Sequence, residues 1–143
     1  MTEQELMSAL LKEARARLPR YVIIRHEAGL THGIPDFSVT GDNVTSWIEV
    51  KHATPNFKSK GIQELTMNRL ALAGHAFYVV YWEDPAFQAT YIVLPPDIGR
   101  PPEDWEICRE GFNHQWVVEE IKKLHETWGG VWKGPRHDNN RPK

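Results

Sequence analysis

One stretch, residues 33–51, restricts the fold more than any other part of the chain. Pro35-Asp36 leads into an apolar run from Phe37 to Val39, Gly41-Asp42-Asn43 reads as a turn, and Val44 to Val50 reads as a second strand. Two short strands joined by Gly, Asn and Asp predict a β-hairpin. Its polar residues fall at the open end: Asp36 at the mouth of the first strand, Glu49 and Lys51 near the end of the second. Side chains two apart on a strand share a face. Glu49 and Lys51 therefore project together, and Val50 projects to the other side. Antiparallel pairing sets Asp36 beside them, so two carboxylates and an ammonium meet in one small volume.

Two neighbouring carboxylates repel, and burial raises the cost of ionising both. A divalent cation resolves that conflict, and Mg²⁺ takes hard oxygen ligands while keeping several waters. Asp36 and Glu49 are the candidate ligands, with the Val50 carbonyl as a further oxygen. Lys51 would orient or deprotonate an attacking water, or steady charge building on a phosphate. The plainer reading of so short a pattern is a polar-edged hairpin with a weak surface pair between Glu49 and Lys51.

The match runs beyond the bare pattern. Pro35-Asp36 followed by Glu49-Val50-Lys51 resembles the PD-(D/E)xK nuclease superfamily. More narrowly it resembles the VRR-NUC (virus-type replication-repair nuclease) and Holliday-junction-resolvase-like branch. That branch places Gly ahead of Pro-Asp, as Gly33-Ile34-Pro35-Asp36 does. After the lysine it has a polar loop, a helix opening on Gln, then Leu, Ala-Gly and a β run; Gln63, Leu70, Ala73-Gly74 and residues 77–81 follow that order. The resemblance covers about residues 3–82.

The resemblance implies an α/β, restriction-endonuclease-like core (α-β-β-β-α-β), a mixed β-sheet flanked by helices. It implies a Mg²⁺- or Mn²⁺-dependent endonuclease that hydrolyses phosphodiesters in DNA. Branched substrates (a junction or a flap) would be met in phage or bacterial replication, recombination or repair, and a homodimer would pair two active sites. Relatives add an acid from the first helix to the metal site, for which Glu3 is the first choice and Glu5 the second. Gln63 would fix the lysine or the scissile phosphate. Some relatives carry Tyr four residues after this Gln; Met67 stands there, so that contact is absent.

Elsewhere the chain reads as one domain over residues 1–132 with a flexible polar tail at 133–143. Residues 3–18 have an apolar stripe at helical spacing, opened by Thr2 with Glu5 three residues on and closed by Pro19. Residues 21–25 form a strand, residues 61–73 a helix with Ile62, Leu65, Leu70 and Leu72 as its apolar positions, and residues 76–82 and 89–94 two more strands. Residues 95–110, rich in proline and acid, read as an irregular crossing loop, and a last helix runs from about Asn113 to Trp128. One strand and the C-terminal helix are thus extra to the nuclease core. Trp105, Trp116, Trp128 and Trp132 lie outside the resemblance and are expected to build a C-terminal hydrophobic layer or a dimer face.

Composition sets outer limits. The net charge of −2 argues against tight, non-specific coating of a duplex, since phosphate neutralisation dominates such binding. That charge neither supports nor excludes DNA: Lys58 and Lys60 after the hairpin and Arg25 at a strand end are candidate phosphate contacts, or else solvated side chains of a loop and a strand end. Phe57 either stacks on a splayed base or anchors its loop. His26 has the chemistry of a general acid near neutral pH. His52 follows Lys51 and so faces away from the catalytic pair. One cysteine, Cys108, rules out an intramolecular disulfide, and no apolar run approaches the about 20 residues of a membrane span. A cytoplasmic protein, of a bacterial cell or phage-infected host, is expected. Two rival readings stay open: a restriction- or defence-type nuclease that reads sequence, and a non-catalytic nuclease-fold module for DNA binding or assembly.

Overall fold

The computed structural model describes residues 1–26, 34–56 and 61–129, with side chains left out at 61–64, 73, 128 and 129. Phe57, Lys58, Lys60, Trp132 and the tail at 133–143 lie outside the described residues, as do the side chains of Gln63 and Trp128.

Among the described residues eleven elements follow one another: α1 (Glu3–Arg17), β1 (Val22–Arg25), β2 (Phe37–Gly41), β3 (Val44–Ala53), α2 (Gly61–Ala73), β4 (His75–Glu83), β5 (Gln88–Val93), two 3₁₀ turns (Pro95–Asp97 and Pro102–Asp104), β6 (Ile107–Glu110) and α3 (His114–Gly129). The six strands lie in one sheet in sequence order. Every neighbouring pair is antiparallel except β3 and β4, which run parallel across the α2 crossover. A parallel pair needs such a crossover, and it places β3 near the middle of the sheet. This is the mixed sheet with flanking helices, α/β and restriction-endonuclease-like, that the sequence predicts.

Helices α1 and α3 cover one face of the sheet, where Leu6, Leu10, Val50, Val79 and Ile121 share a core. The opposite face packs Tyr78, Val80 and Trp82 against Met67 of α2 and against Ile98 and Trp105. The alternation along β4 supplies both cores from one strand, as a sheet covered on both sides requires. α1 opens with the predicted capping box: Glu5 N donates to Thr2 Oγ1 at 3.1 Å and Thr2 N to Glu5 Oε1 at 3.0 Å. The β2–β3 turn holds Asp42 and Asn43 at φ 54° and 65°, the left-handed pair of a tight two-residue hairpin. Gly41 is glycine for a steric reason, because a Cβ there would meet the Tyr21 ring at 2.5 Å.

Three expectations need correction. Residues 95–110 are not all irregular: β6 adds a sixth strand along β5. Its four residues are all exposed, so no alternation of polar and apolar residues marks them. Trp105 and Trp116 do not share a layer or a dimer face; both are buried, in opposite cores, because α3 carries Trp116 across to the α1 side. On α2, Leu65 and Leu72 are exposed (54% and 89%), and Met67 fills the inward position instead. Seven residues are nearly two helical turns, so those two leucines lie on one outer stripe.

Candidate active site at the open end of the hairpin

The β2–β3 ladder ends with Phe37 opposite Ile48. Continued one step it would set Asp36 opposite Glu49, and two steps Pro35 opposite Val50. In an antiparallel ladder one residue's N–H and C=O face the same neighbour. Val50 and His52 therefore turn their amides toward an edge that β2 has left. Two carboxylates take them. Val50 N donates to Asp36 Oδ2 at 2.7 Å, and His52 N donates to Glu3 Oε1 at 2.8 Å. The Val50 carbonyl shares this edge, and Pro35, which would stand opposite, has no N–H to offer it. Carboxylates from α1 and the hairpin mouth thus line up beside a main-chain oxygen of β3.

Glu49 completes the cluster from the face of the sheet. Its Oε1 accepts from Asp36 N at 3.1 Å, and its Oε2 lies 3.1 Å from Lys51 Nζ. Glu49 is 3% exposed and the Lys51 side chain 12%, so this is no loose surface pair. Burial, and then the negative charge of Asp36, push the Glu49 carboxyl up to about 7, against the partial relief of Lys51. Burial raises Asp36 as well; its bond from Val50 N and the charges of Lys51 and Arg25 pull the other way, while Glu3 adds to the rise. The plainer reading of the motif, a solvated pair, does not describe this geometry.

The remaining candidates separate. Glu3 joins the edge, whereas Glu5 is spent in the Thr2 capping box. Arg25, exposed at the end of β1, lies within electrostatic reach of Asp36. Gln63 sits in the first turn of α2, its side chain outside the described atoms, and Lys58 and Lys60 lie outside the described residues. His52 faces away from Glu49 and Lys51: its ring pairs with Glu83 at 3.1 Å and lies edge-on to Phe112. His26 was a candidate by chemistry alone, and its surroundings are new. Its Nε2 lies 3.0 Å from Ser38 Oγ and its ring stacks on Trp47, with centroids 5.3 Å apart. Neither Ser38 nor Trp47 carries a motif that would single it out; only the pairing of Ser38 with Trp47 across the hairpin places them beside the site.

Among the described residues no group of three His, Cys, Asp or Glu side chains stands preformed as a metal cage. Mg²⁺ does not need one, because it binds through one or two carboxylates plus waters and substrate phosphates. A buried and a half-buried carboxylate that resist ionising together, with a main-chain carbonyl on the same edge, are a donor set that fits such a cation.

No protein-family model matches this sequence, and no curated protein matches it. The fold does have a solved counterpart. The Holliday junction resolvase Hjc of Archaeoglobus fulgidus superposes with a TM-score of 0.50 at 15% identity, over 85% of this chain and 97% of that one. At that identity the similarity speaks for the fold alone.

Proposed function

We propose that this protein is a divalent-metal-dependent DNA endonuclease that cuts branched DNA. The observation that carries the proposal is the cluster itself: a buried Glu49 and a half-buried Asp36 side by side at a strand edge, with Lys51 Nζ 3.1 Å from Glu49. The fold shared with a Holliday junction resolvase supports the substrate class.

Asp36 and Glu49 would hold Mg²⁺ or Mn²⁺ together with the Val50 carbonyl, and Glu3 would support them from α1. When bound, the cation supplies Lewis acidity toward the phosphodiester and its attacking water. Lys51 orients that water and offsets charge building on the phosphate oxygens. The Glu49 carboxylate fixes the ammonium in place, and Gln63 would support the lysine or the phosphate. Arg25, Lys58 and Lys60 are the residues that would hold the flanking backbone. A homodimer would present two such sites to a two-fold junction, and the exposed Leu65 and Leu72 on α2 are apolar surface open to that contact.

The test is cleavage of a labelled four-way junction, a flap, a plain duplex and a single strand, each with Mg²⁺, Mn²⁺ or chelator. Metal-dependent cutting of the branched substrates, abolished by Asp36→Asn in a folded protein, is the expected result. Preference for a short duplex sequence would favour a restriction-type enzyme. DNA binding with no cutting under either metal would leave a non-catalytic module.

A further inference from the structure

The face of the sheet that carries Glu49 and Lys51 continues toward β1 as an aromatic and apolar ledge. Trp47 precedes Glu49 by two residues and so points the same way, about 7 Å along the strand. Ser38 stands opposite Trp47, and Ile24 stands opposite Ser38, so all three share this face. His26 follows Ile24 by two residues, hydrogen-bonds Ser38 and lies nearly parallel to the Trp47 ring, at 26°. Both rings are partly exposed, and beyond them Ile24 and Val22 are 51% and 56% exposed. Trp47 also packs in part against the core of Met67 and Tyr78, so the stacked pair is anchored on one side and keeps part of its surface in solvent one step from the carboxylates.

We propose that His26 and Trp47 form a stacking platform for an unpaired nucleobase flanking the cleaved phosphate. The inference rests on the nuclease reading above and adds to it the substrate feature that the site selects. The spacing supports it, because two strand residues span about what one extended nucleotide spans. A phosphate held through a divalent cation at Asp36 and Glu49 then brings its neighbouring base over the rings. Every base has a π-face, so such a platform takes unstacked nucleotides with little regard to sequence. A fully paired duplex keeps its bases stacked inside and gains nothing from it. The platform therefore favours DNA with a splayed or single-stranded nucleotide next to the cut, and its apolar rim at Ile24 accommodates the sugar. His26 acts here as a positioning residue through its ring, not through a proton.

The experiment places 2-aminopurine in the unpaired flank of a flap substrate whose scissile phosphate is replaced by a cleavage-resistant phosphorothioate, and follows its fluorescence on binding to the full chain with Ca²⁺ in place of Mg²⁺. The wild type should quench the probe, and Trp47→Leu should abolish the quench and weaken binding about 10-fold. His26→Ala should do the same, whereas His26→Phe, which keeps a ring, should retain the quench. A second arm needs no variant: an abasic residue at the probe position should cost the wild type about 10-fold in KM with kcat little changed, and should not affect a plain duplex. If the abasic residue changes nothing, or if Trp47→Leu weakens flap and duplex alike, the platform is refuted. Metal-dependent cutting without quench sinks the platform and leaves the nuclease standing. Quench without cutting under any metal sinks the nuclease and leaves a base-stacking module.

Discussion

Asp36 and Glu49 hold each other through one hydrogen bond, from the Asp36 amide to Glu49 Oε1 at 3.1 Å, while their two negative charges oppose each other at the same place. The backbone geometry that brings them together comes from the hairpin register, and the electrostatic cost comes from burial. A fold built only for stability would not keep both. Replacing the buried Glu49 charge with a neutral isostere should relieve the protein and disable the site.

The metal-free protein should lose stability as pH rises from about 4.5 to 7. Glu49 has its carboxyl raised in the folded state to about 7 from an ordinary 4.5, so between those values the folded chain binds more protons than the unfolded one. Stability in that interval falls with pH, by as much as about 3 kcal/mol if Glu49 acts alone. Denaturant melts in chelator across pH 4.5–8 should show the fall, and Glu49→Gln should remove it.

Lys51→Met should lower cleavage on the order of 10²–10³-fold, the usual scale for removing one donor aimed at developing charge. It should also push the Glu49 carboxyl higher, since the ammonium now holds it down. The pH at which metal-free stability declines should then move upward in the variant. A carboxylate that merely decorated the surface would show no such shift.

Glu3 and Glu5 are two residues apart yet should behave differently. Glu3→Gln removes a carboxylate from the His52 amide at the active edge, and cleavage should drop about 10–100-fold. Glu5→Ala opens the Thr2 capping box, so it should lower the melting temperature slightly and leave kcat/KM near the wild-type value. Parallel melts and rate measurements on the two variants check both statements.

His125 ties α3 to the far end of the hairpin. It is fully buried, with Nε2 2.7 Å from Ser46 Oγ and Nδ1 3.0 Å from the Gly41 carbonyl, and burial lowers its pKa below the ordinary 6.5. Because the folded pKa is depressed, this group favours folding above pH 6.5 and withdraws that support as pH falls below it, opposite in sign to Glu49. In a Glu49→Gln background, acid melts should expose this second trend. His125→Ala should cost at least about 2 kcal/mol, through a cavity and a stranded Ser46 hydroxyl.

Much of this was legible in the residues, for local reasons. The hairpin and the Thr2 cap each rest on chemistry within a few positions, and α2 spans Gly61–Ala73 as expected. Asp36, Glu49 and Lys51 converge because strand alternation and one turn suffice to bring them together. What stayed hidden depends on distant contacts. The edge strand β6 shows no alternation, being exposed at all four residues. Trp105 and Trp116 look alike in sequence but enter opposite cores, because only the path of the chain decides which face each meets. Ser46 and His125 are 79 residues apart, and the stack of His26 on Trp47 needs three strands in register.

That Asp36 and Glu49 jointly hold a divalent cation is tested most directly by titrating Mn²⁺ into the metal-free protein in a calorimeter at pH 8. The wild type should bind, Asp36→Asn and Glu49→Gln should each lose affinity at least about 10-fold while remaining folded, and Glu5→Ala should bind as the wild type does. Binding of equal strength by the wild type, Asp36→Asn and Glu49→Gln would contradict the assignment and place any metal elsewhere.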